Sequence, residues 1–275
     1  MRSASCFQPG HRLKFFIVSL HLDSVKERLT TAFLGRHIIQ VGSVSSTQDL
    51  ARGEAAVGAL EGTVVVAEEQ TAGRGRLGRP WVSPPGANLY VTLVLRPSRE
   101  RMRALSMVAP LAVAQAVEDT TGLSPRIKWP NDLLVEDRKL AGVLIDTEIS
   151  GQTPQYALVG VGLNVNLDVQ AVPEIATIAT SLRQHLGRDI SREEVLAAFL
   201  NRFEKLYVES ERGGPALCEA WRARLDTLGR QIRVASGDQV EEGLAEDVDG
   251  DGSLILRRAD GSRVTLVAGE VTLRA

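Results

Sequence analysis

The chain changes texture near Leu225, and this feature narrows the folds open to it more than any other. Beyond Leu225 there are only short strand-like runs, at 231–235, 239–246, 253–258 and 263–268, separated by Ser236-Gly237-Asp238, Asp249-Gly250-Asp251-Gly252 and Asp260-Gly261-Ser262. Glycine, aspartate and serine at such intervals make tight turns. About fifty residues of this pattern bury a core by closing a small all-β barrel. Before Leu225 the texture is mixed, with helix-period segments set between β-branched runs. At about 150 residues per domain, 275 residues suit one α/β domain followed by a small β domain.

In the mixed part, 24–39 places Val25, Leu29 and Phe33 at helical spacing and predicts a helix. Ser46-Thr47-Gln48-Asp49 reads as a capping box that opens a second helix through about Ala56. Strands are predicted at 63–67, 88–95, 132–135, 140–146 and 156–166, and helices at 104–121, 191–210 and 215–224. Lys14-Phe15-Phe16-Ile17-Val18 is basic then apolar, like a weak secretory leader, but no small-x-small cleavage site precedes Asp23. Residues 1–23 are therefore expected to be a disordered extension, 24–224 the α/β domain and 225–275 the barrel.

Composition closes off several classes. With 44% hydrophobic and 24% charged residues, the chain is neither wholly disordered nor a rod. No run reaches the roughly 18–20 uninterrupted apolar residues of a membrane span. A net charge of −2 does not suit a general nucleic-acid coat. Cys6 and Cys218 form no CxxC pair, so a reducing, cytoplasmic setting is expected, with no disulfide framework. There is no HExxH, Walker A or G-x-S-x-G segment. Asp247-x-Asp249-x-Asp251-Gly252 imitates the start of a calcium loop, but Arg258 stands at position twelve.

Three segments carry chemistry. Gly73-x-Gly75-x-x-Gly78 follows a strand, as a dinucleotide fingerprint would. That fingerprint needs a helix to open at the loop, and Pro80, Pro84 and Pro85 forbid one. The arginines matter more: between 71 and 103 there are seven, against the single acid Glu100. Guanidinium forks bind carboxylates and phosphates, and Trp81 could stack on a base or close a pocket. Lys128-Trp129-Pro130-Asn131-Asp132 sets a cation, an aromatic, an amide and a carboxylate at one strand entrance, and Lys139 enters the next strand. Gly142 and the run Gly160-Val161-Gly162-Leu163-Asn164 put small residues inside strands, which carves a pocket into a sheet face.

Taken in order, these segments resemble the signatures of biotin protein ligases, together with Ser45-Ser46-Thr47-Gln48, Gln70, Ser83 to Tyr90 and Thr180-Ser181-Leu182. The resemblance runs from about residue 24 to the carboxy terminus. It implies a mixed sheet with flanking helices, like the catalytic domain of class II aminoacyl-tRNA synthetases, followed by an SH3-like barrel. It implies that biotin and magnesium-ATP form biotinyl-5′-adenylate, from which biotin passes to a lysine of a biotin carboxyl carrier protein. On that resemblance Ser46, Thr47, Gln48 and Gln70 meet the biotin head. Arg74, Gly75 and Arg76 form the loop that orders over biotin and the adenylate phosphate. Trp81 helps cover the adenine, and Asn131 and Asn164 lie beside the nucleotide. Lys139 binds the biotin carboxylate or the phosphate, Gly142 on the same strand lies against biotin, and Lys128, which also meets ATP, stands with Asp132 at the reacting centre. Residue types agree with the chemistry, since bringing a carboxylate against a triphosphate needs cations.

Two departures accompany the resemblance. Only about 24 residues precede it, too few for the helix-turn-helix that makes some of these ligases repressors, so no DNA partner is expected. Where the family often has glutamate after the Lys-Leu-Ala-Gly strand, this chain has Asp146 and then Glu148. Lipoate ligases and octanoyltransferases share the fold and are the alternative; the arginine loop and the Lys-Trp-Pro-Asn-Asp segment favour the biotin branch. A nucleic-acid-binding barrel is disfavoured because residues 236–275 carry nine acids and four arginines. No membrane partner is expected, and the chain is expected to be a monomer or homodimer.

Overall fold

The computed structural model describes residues 19–151, 153–212, 215–236 and 239–273. A seven-stranded sheet runs in the order β1-β2-β3-β7-β6-β5-β4, from β1 (Ile38–Val44), β2 (Thr63–Gln70), β3 (Leu89–Leu95), β4 (Arg126–Lys128), β5 (Asp132–Val135), β6 (Arg138–Ser150) and β7 (Thr153–Leu163). Only β1 and β2 are parallel; every other neighbouring pair is antiparallel. A second, five-stranded antiparallel sheet follows, from β8 (Gln231–Ser236) to β9 (Gln239–Val248), β10 (Leu254–Arg257), β11 (Arg263–Leu266) and β12 (Glu270–Leu273). The mixed α/β domain and small β domain expected from the sequence are both present.

Helices α3 (Arg99–Thr121) and α5 (Arg192–Glu209) pack together on one face of the large sheet. Ser98 caps α3 by accepting from the Arg101 N–H at 3.3 Å, and Gly122 ends it in the left-handed region. The short α1 (Leu22–Glu27), α4 (Leu182–Leu186) and α6 (Pro215–Arg222) complete that side, whereas α2 (Thr47–Ala56) lies on the opposite face. Alternation divides the strands between the faces. In β3, Leu89, Val91, Leu93 and Leu95 enter the large core, as do Ala157, Val159, Val161 and Leu163 in β7. Val65, Val94 and Leu158 point the other way and bury Ala51 and Ala55 of α2.

The predicted helix over 24–39 is corrected. Only Leu22–Glu27 is helical, and Ile38–Val44 is the edge strand β1. The cause is tertiary: Glu204 on α5 accepts the N–H groups of Ala32, Phe33 and Leu34 at 2.5, 3.0 and 2.8 Å, and Asn201 accepts that of Thr30 at 2.8 Å. Donors satisfied by α5 do not need a helix of their own. Leu20, assigned to the extension, is buried and donates its N–H to Glu68 at 2.6 Å. Glu68 also pairs with Arg192 at 2.8 Å, both side chains buried. Residues 1–18 of the expected extension, with Cys6, and Gly237-Asp238 of one turn lie outside the described residues.

Candidate active site

Beside the amino-terminal end of α2, the second face of the sheet opens into a cleft of about 550 Å³. Its floor is built by pairing: Gly142 stands opposite Gly162, Leu144 opposite Gly160, and Thr92 on the other side of Gly160. The glycines are there for what lies on them. A Cβ at Gly162 would come within 2.5 Å of the Trp81 indole, and one at Gly160 within 2.6 Å of Gln48 Oε1. At Gly142 it would meet Trp81 and Lys139 at 3.3 Å. Small residues inside these strands thus seat an aromatic and an amide directly on the backbone, as the sequence predicted for a pocket.

One end of the cleft is neutral and hydrogen-bonding. Ser46 caps α2, its hydroxyl accepting from the Gln48 N–H at 3.3 Å. The N–H and hydroxyl of Thr47 donate to Gln70 Oε1 at 2.9 and 3.1 Å, and Gln70 Nε2 donates to the Ser83 hydroxyl at 3.1 Å. Thr92 Oγ1 lies 2.9 Å from the Thr47 hydroxyl and 3.2 Å from Gln48 Oε1. The capping box is only half formed, because the Asp49 carboxylate turns to Arg52 and Arg74.

The other end is cationic. The Gly73–Gly78 loop folds back on itself: the Gly75 N–H donates to Arg79 O at 2.7 Å and the Trp81 N–H to Gly73 O at 2.8 Å. Only a three-residue 3-10 turn, Arg76–Gly78, forms there, so no helix opens to hold a pyrophosphate in the dinucleotide manner. Arg76 Nη1 donates to Asn131 Oδ1 at 3.2 Å and to Gly269 O at 3.3 Å. Burial draws the Arg76 pKa below its ordinary value, against the opposing pull of Asp132 and Glu270. Lys139 Nζ is 2.7 Å from Asp132 Oδ1 and 5.3 Å from the centre of the Trp81 ring. Lys128 also lines the cleft, at the strand entrance before the cis Trp129–Pro130 bond.

Every residue singled out from the sequence as catalytic, biotin-binding or ATP-binding lines this one cleft. Asn164 is the most committed of them: its amide donates to Thr180 O at 3.0 Å and accepts from Asn88 at 3.2 Å. Asn131 likewise donates to Val143 O at 2.6 Å while accepting from Arg76. Sequence reasoning missed Thr92 and the contribution of the small β domain. Thr92 carried a signal, being the one residue with an aliphatic hydroxyl in the buried strand Leu89–Leu95. Gly269, Glu270 and Val271 also line the cleft, and Glu270 pairs with Arg79. Among the described residues, no group of three or more His, Cys, Asp or Glu could hold a metal ion, and no helix is long and apolar enough to cross a membrane.

Comparison with known proteins agrees with this arrangement. The Biotin/lipoate A/B protein ligase family matches residues 41–164, and the Biotin protein ligase C terminal domain matches residues 227–274. The chain is 34% identical to the biotin--[acetyl-CoA-carboxylase] ligase of Mycobacterium tuberculosis over 257 residues, covering 90% of this chain and 93% of that one. It is 34% identical to the bifunctional ligase/repressor BirA of Bacillus subtilis over 256 residues, covering 92% and 79%. The solved biotin protein ligase from Aquifex aeolicus in complex with biotin and ATP superposes with a TM-score of 0.74 at 30% identity, covering 87% of this chain and 99% of that one. Two family matches that take in both sheets, and relatives of this identity along nearly the whole length, establish that the chain belongs to the biotin protein ligase family.

Proposed function

We propose that the protein condenses biotin with ATP to biotinyl-5′-adenylate and pyrophosphate, and then passes the biotinyl group to a lysine of a biotin carboxyl carrier protein. The observation that carries this reading is one cleft with two opposite ends: a hydrogen-bonding slot at Ser46, Thr47, Gln48 and Gln70, and a cationic end at Arg76, Lys128 and Lys139. A neutral ureido ring suits the first, and a carboxylate facing phosphate suits the second. In the first step a biotin carboxylate oxygen attacks the α-phosphorus and pyrophosphate departs. Lys139 and Arg76 screen the two anions, and Asp132 holds the Lys139 ammonium at its working position. In the second step the carrier amine attacks the acyl carbon, AMP departs, and the amine loses its proton. Arg74, Gly75 and Arg76 keep water from the mixed anhydride, and Trp81 shields the adenine. Asn131 and Asn164 brace the nucleotide side of the wall through the bonds given above. Gly142 leaves room for Lys139 and Trp81.

Magnesium would arrive with the nucleotide as part of the substrate. The described residues offer no acidic cluster of their own for it, so phosphate oxygens and water would supply most of its ligands. On this reading the protein works in the cytoplasm, as a monomer or homodimer, on a carrier domain. Incubation with ATP, biotin and a carrier domain should add one biotinyl mass to the carrier, dependent on both small molecules. A carrier of unchanged mass would overturn the proposal.

A further inference from the structure

The proposed chemistry leaves unused a chain of half-exposed charges behind the cleft wall. Asp146 on β6 pairs with Arg52 on α2 at 2.5 Å. The same guanidinium holds Asp49, in the first turn of α2, at 3.0 Å. Asp49 Oδ1 in turn receives Arg74 at 2.5 Å. Asp49, Arg52 and Asp146 do not line the cleft, whereas Arg74 does and begins the loop that carries Arg76.

The geometry gives this chain a task. Asp49 Oδ1 is shared between two guanidiniums, so Arg52, itself tethered by Asp146, fixes the oxygen that meets Arg74. The loop has no core of its own: Leu77 at its tip is 77% exposed. Its far end is tied to the small β domain, Arg76 to Gly269 O and Arg79 to Glu270. Its near end is tied by Arg74 to Asp49. The loop is therefore slung between two anchors, and at the near one the Arg74–Asp49 pair adds to the backbone bonds from Thr71 N–H to Val44 O and from Ala72 N–H to Ser45 O, both 2.9 Å.

We propose that Asp49, Arg52 and Asp146 are positioning residues, which hold Arg74 so that the stem of the loop is aligned and Arg76 enters the cleft. The kinetic consequence rests on the ligase reading; the structural consequence does not.

The test uses Asp49→Asn and Asp146→Asn, with Asp146→Glu as the conservative replacement, in the full chain. Two quantities are read: release of a preformed adenylate, and trypsin cleavage after Arg76, a site kept in every variant, in the unliganded protein. For a partly screened network, each Asn variant should speed both by about two- to fivefold, with pyrophosphate exchange at saturating biotin within twofold of wild type. Asp146→Glu should recover most of the loss. In an Arg74→Ala background, Asp49→Asn should add nothing, because the residue through which it acts is gone. A charge pair that merely stabilised α2 would instead multiply the two effects, and that outcome overturns the proposal. So does wild-type release and cleavage in Asp146→Asn. Should Asp49→Asn unfold α2, the Asp146 pair of variants decides alone, since Asp146 lies on a central strand. A wild-type protein that fails to load a carrier sinks the ligase reading, while the cleavage assay still decides the positioning claim.

Discussion

Replacing Gly162 by alanine tests the seating of Trp81 on the sheet. The new Cβ would lie 2.5 Å from Trp81 Cε2 and Nε1 and 2.8 Å from Cζ2. Carbon contacts settle at about 3.5–4.0 Å, so the indole must retreat by about 1 Å. It cannot retreat freely, because the Trp81 N–H is bonded to Gly73 O and the Trp81 carbonyl accepts from the Ser83 hydroxyl. Overpacking of this kind costs about 1–3 kcal/mol. The smaller entropy of the unfolded alanine chain returns about 0.4–1 kcal/mol. The net loss is about 0–2.6 kcal/mol, which at about 2–4 °C per kcal/mol lowers Tm by up to roughly 10 °C. Gly142→Ala is the control: its Cβ would meet only the outer atoms of Trp81 and Lys139, at 3.3 Å, and Tm should stay within about 1 °C of wild type. On the proposed function, in which Trp81 shields the adenine, displacing the indole should also raise KM for ATP about tenfold in Gly162→Ala, more than kcat falls. Thermal unfolding and carrier-loading rates measure both. A Gly162→Ala protein as stable as Gly142→Ala, with an unchanged KM for ATP, would refute the reasoning.

Further outcomes follow from the same geometry. Arg76→Ala should fold normally and leak its adenylate, since one charge-assisted contact is worth about 1.5–3 kcal/mol, or roughly ten- to a hundredfold in retention; Lys139→Ala should instead slow adenylate formation, and pyrophosphate exchange separates the two. Biotin should raise Tm and lipoate should not, because the hydroxyls and amides at Thr47, Thr92 and Gln70, which bond one another here, can be engaged by a ureido ring and not by a dithiolane; equal shifts would count against the biotin slot. Glu68→Ala takes the carboxylate from the buried Arg192 guanidinium, which keeps Asn88 O at 3.2 Å, and releases Leu20, so it should cost about 3–5 kcal/mol by urea unfolding. The side-chain hydrogen bond from Arg222 holds the Asp247 carboxyl below its usual range. That contribution is present above the unfolded carboxylate pKa and fades as pH falls through the lower folded value. The Tm gap between wild type and Arg222→Ala should therefore be widest near neutrality and close in strong acid.

How much was legible beforehand follows the range of the forces involved. Turn chemistry at Asp249-Gly250-Asp251-Gly252 and the apolar, β-branched run along Leu89–Leu95 are local, so the small β domain and the central strands could be read directly. So could the candidate site, because its glycines and cations are written into a few short segments, and strand pairing then brought them to one cleft. The stretch 24–39 was misread because its helical spacing is real but its backbone donors belong to Glu204 and Asn201, some 170 positions away. Asp49 shows the same limit: its position suits a cap, yet Arg52 and Arg74 take its carboxylate. The share of the small β domain in the cleft was invisible for a like reason. Gly269 and Glu270 lie 193 and 191 positions from the arginines they hold, and no local pattern encodes a partner that far along the chain. Local stereochemistry settled which elements form and which side chains they carry. Long-range hydrogen bonds and ion pairs settled where a helix is denied and which loop is held over the cleft, because a buried backbone donor or carboxylate takes whichever partner packing brings to it.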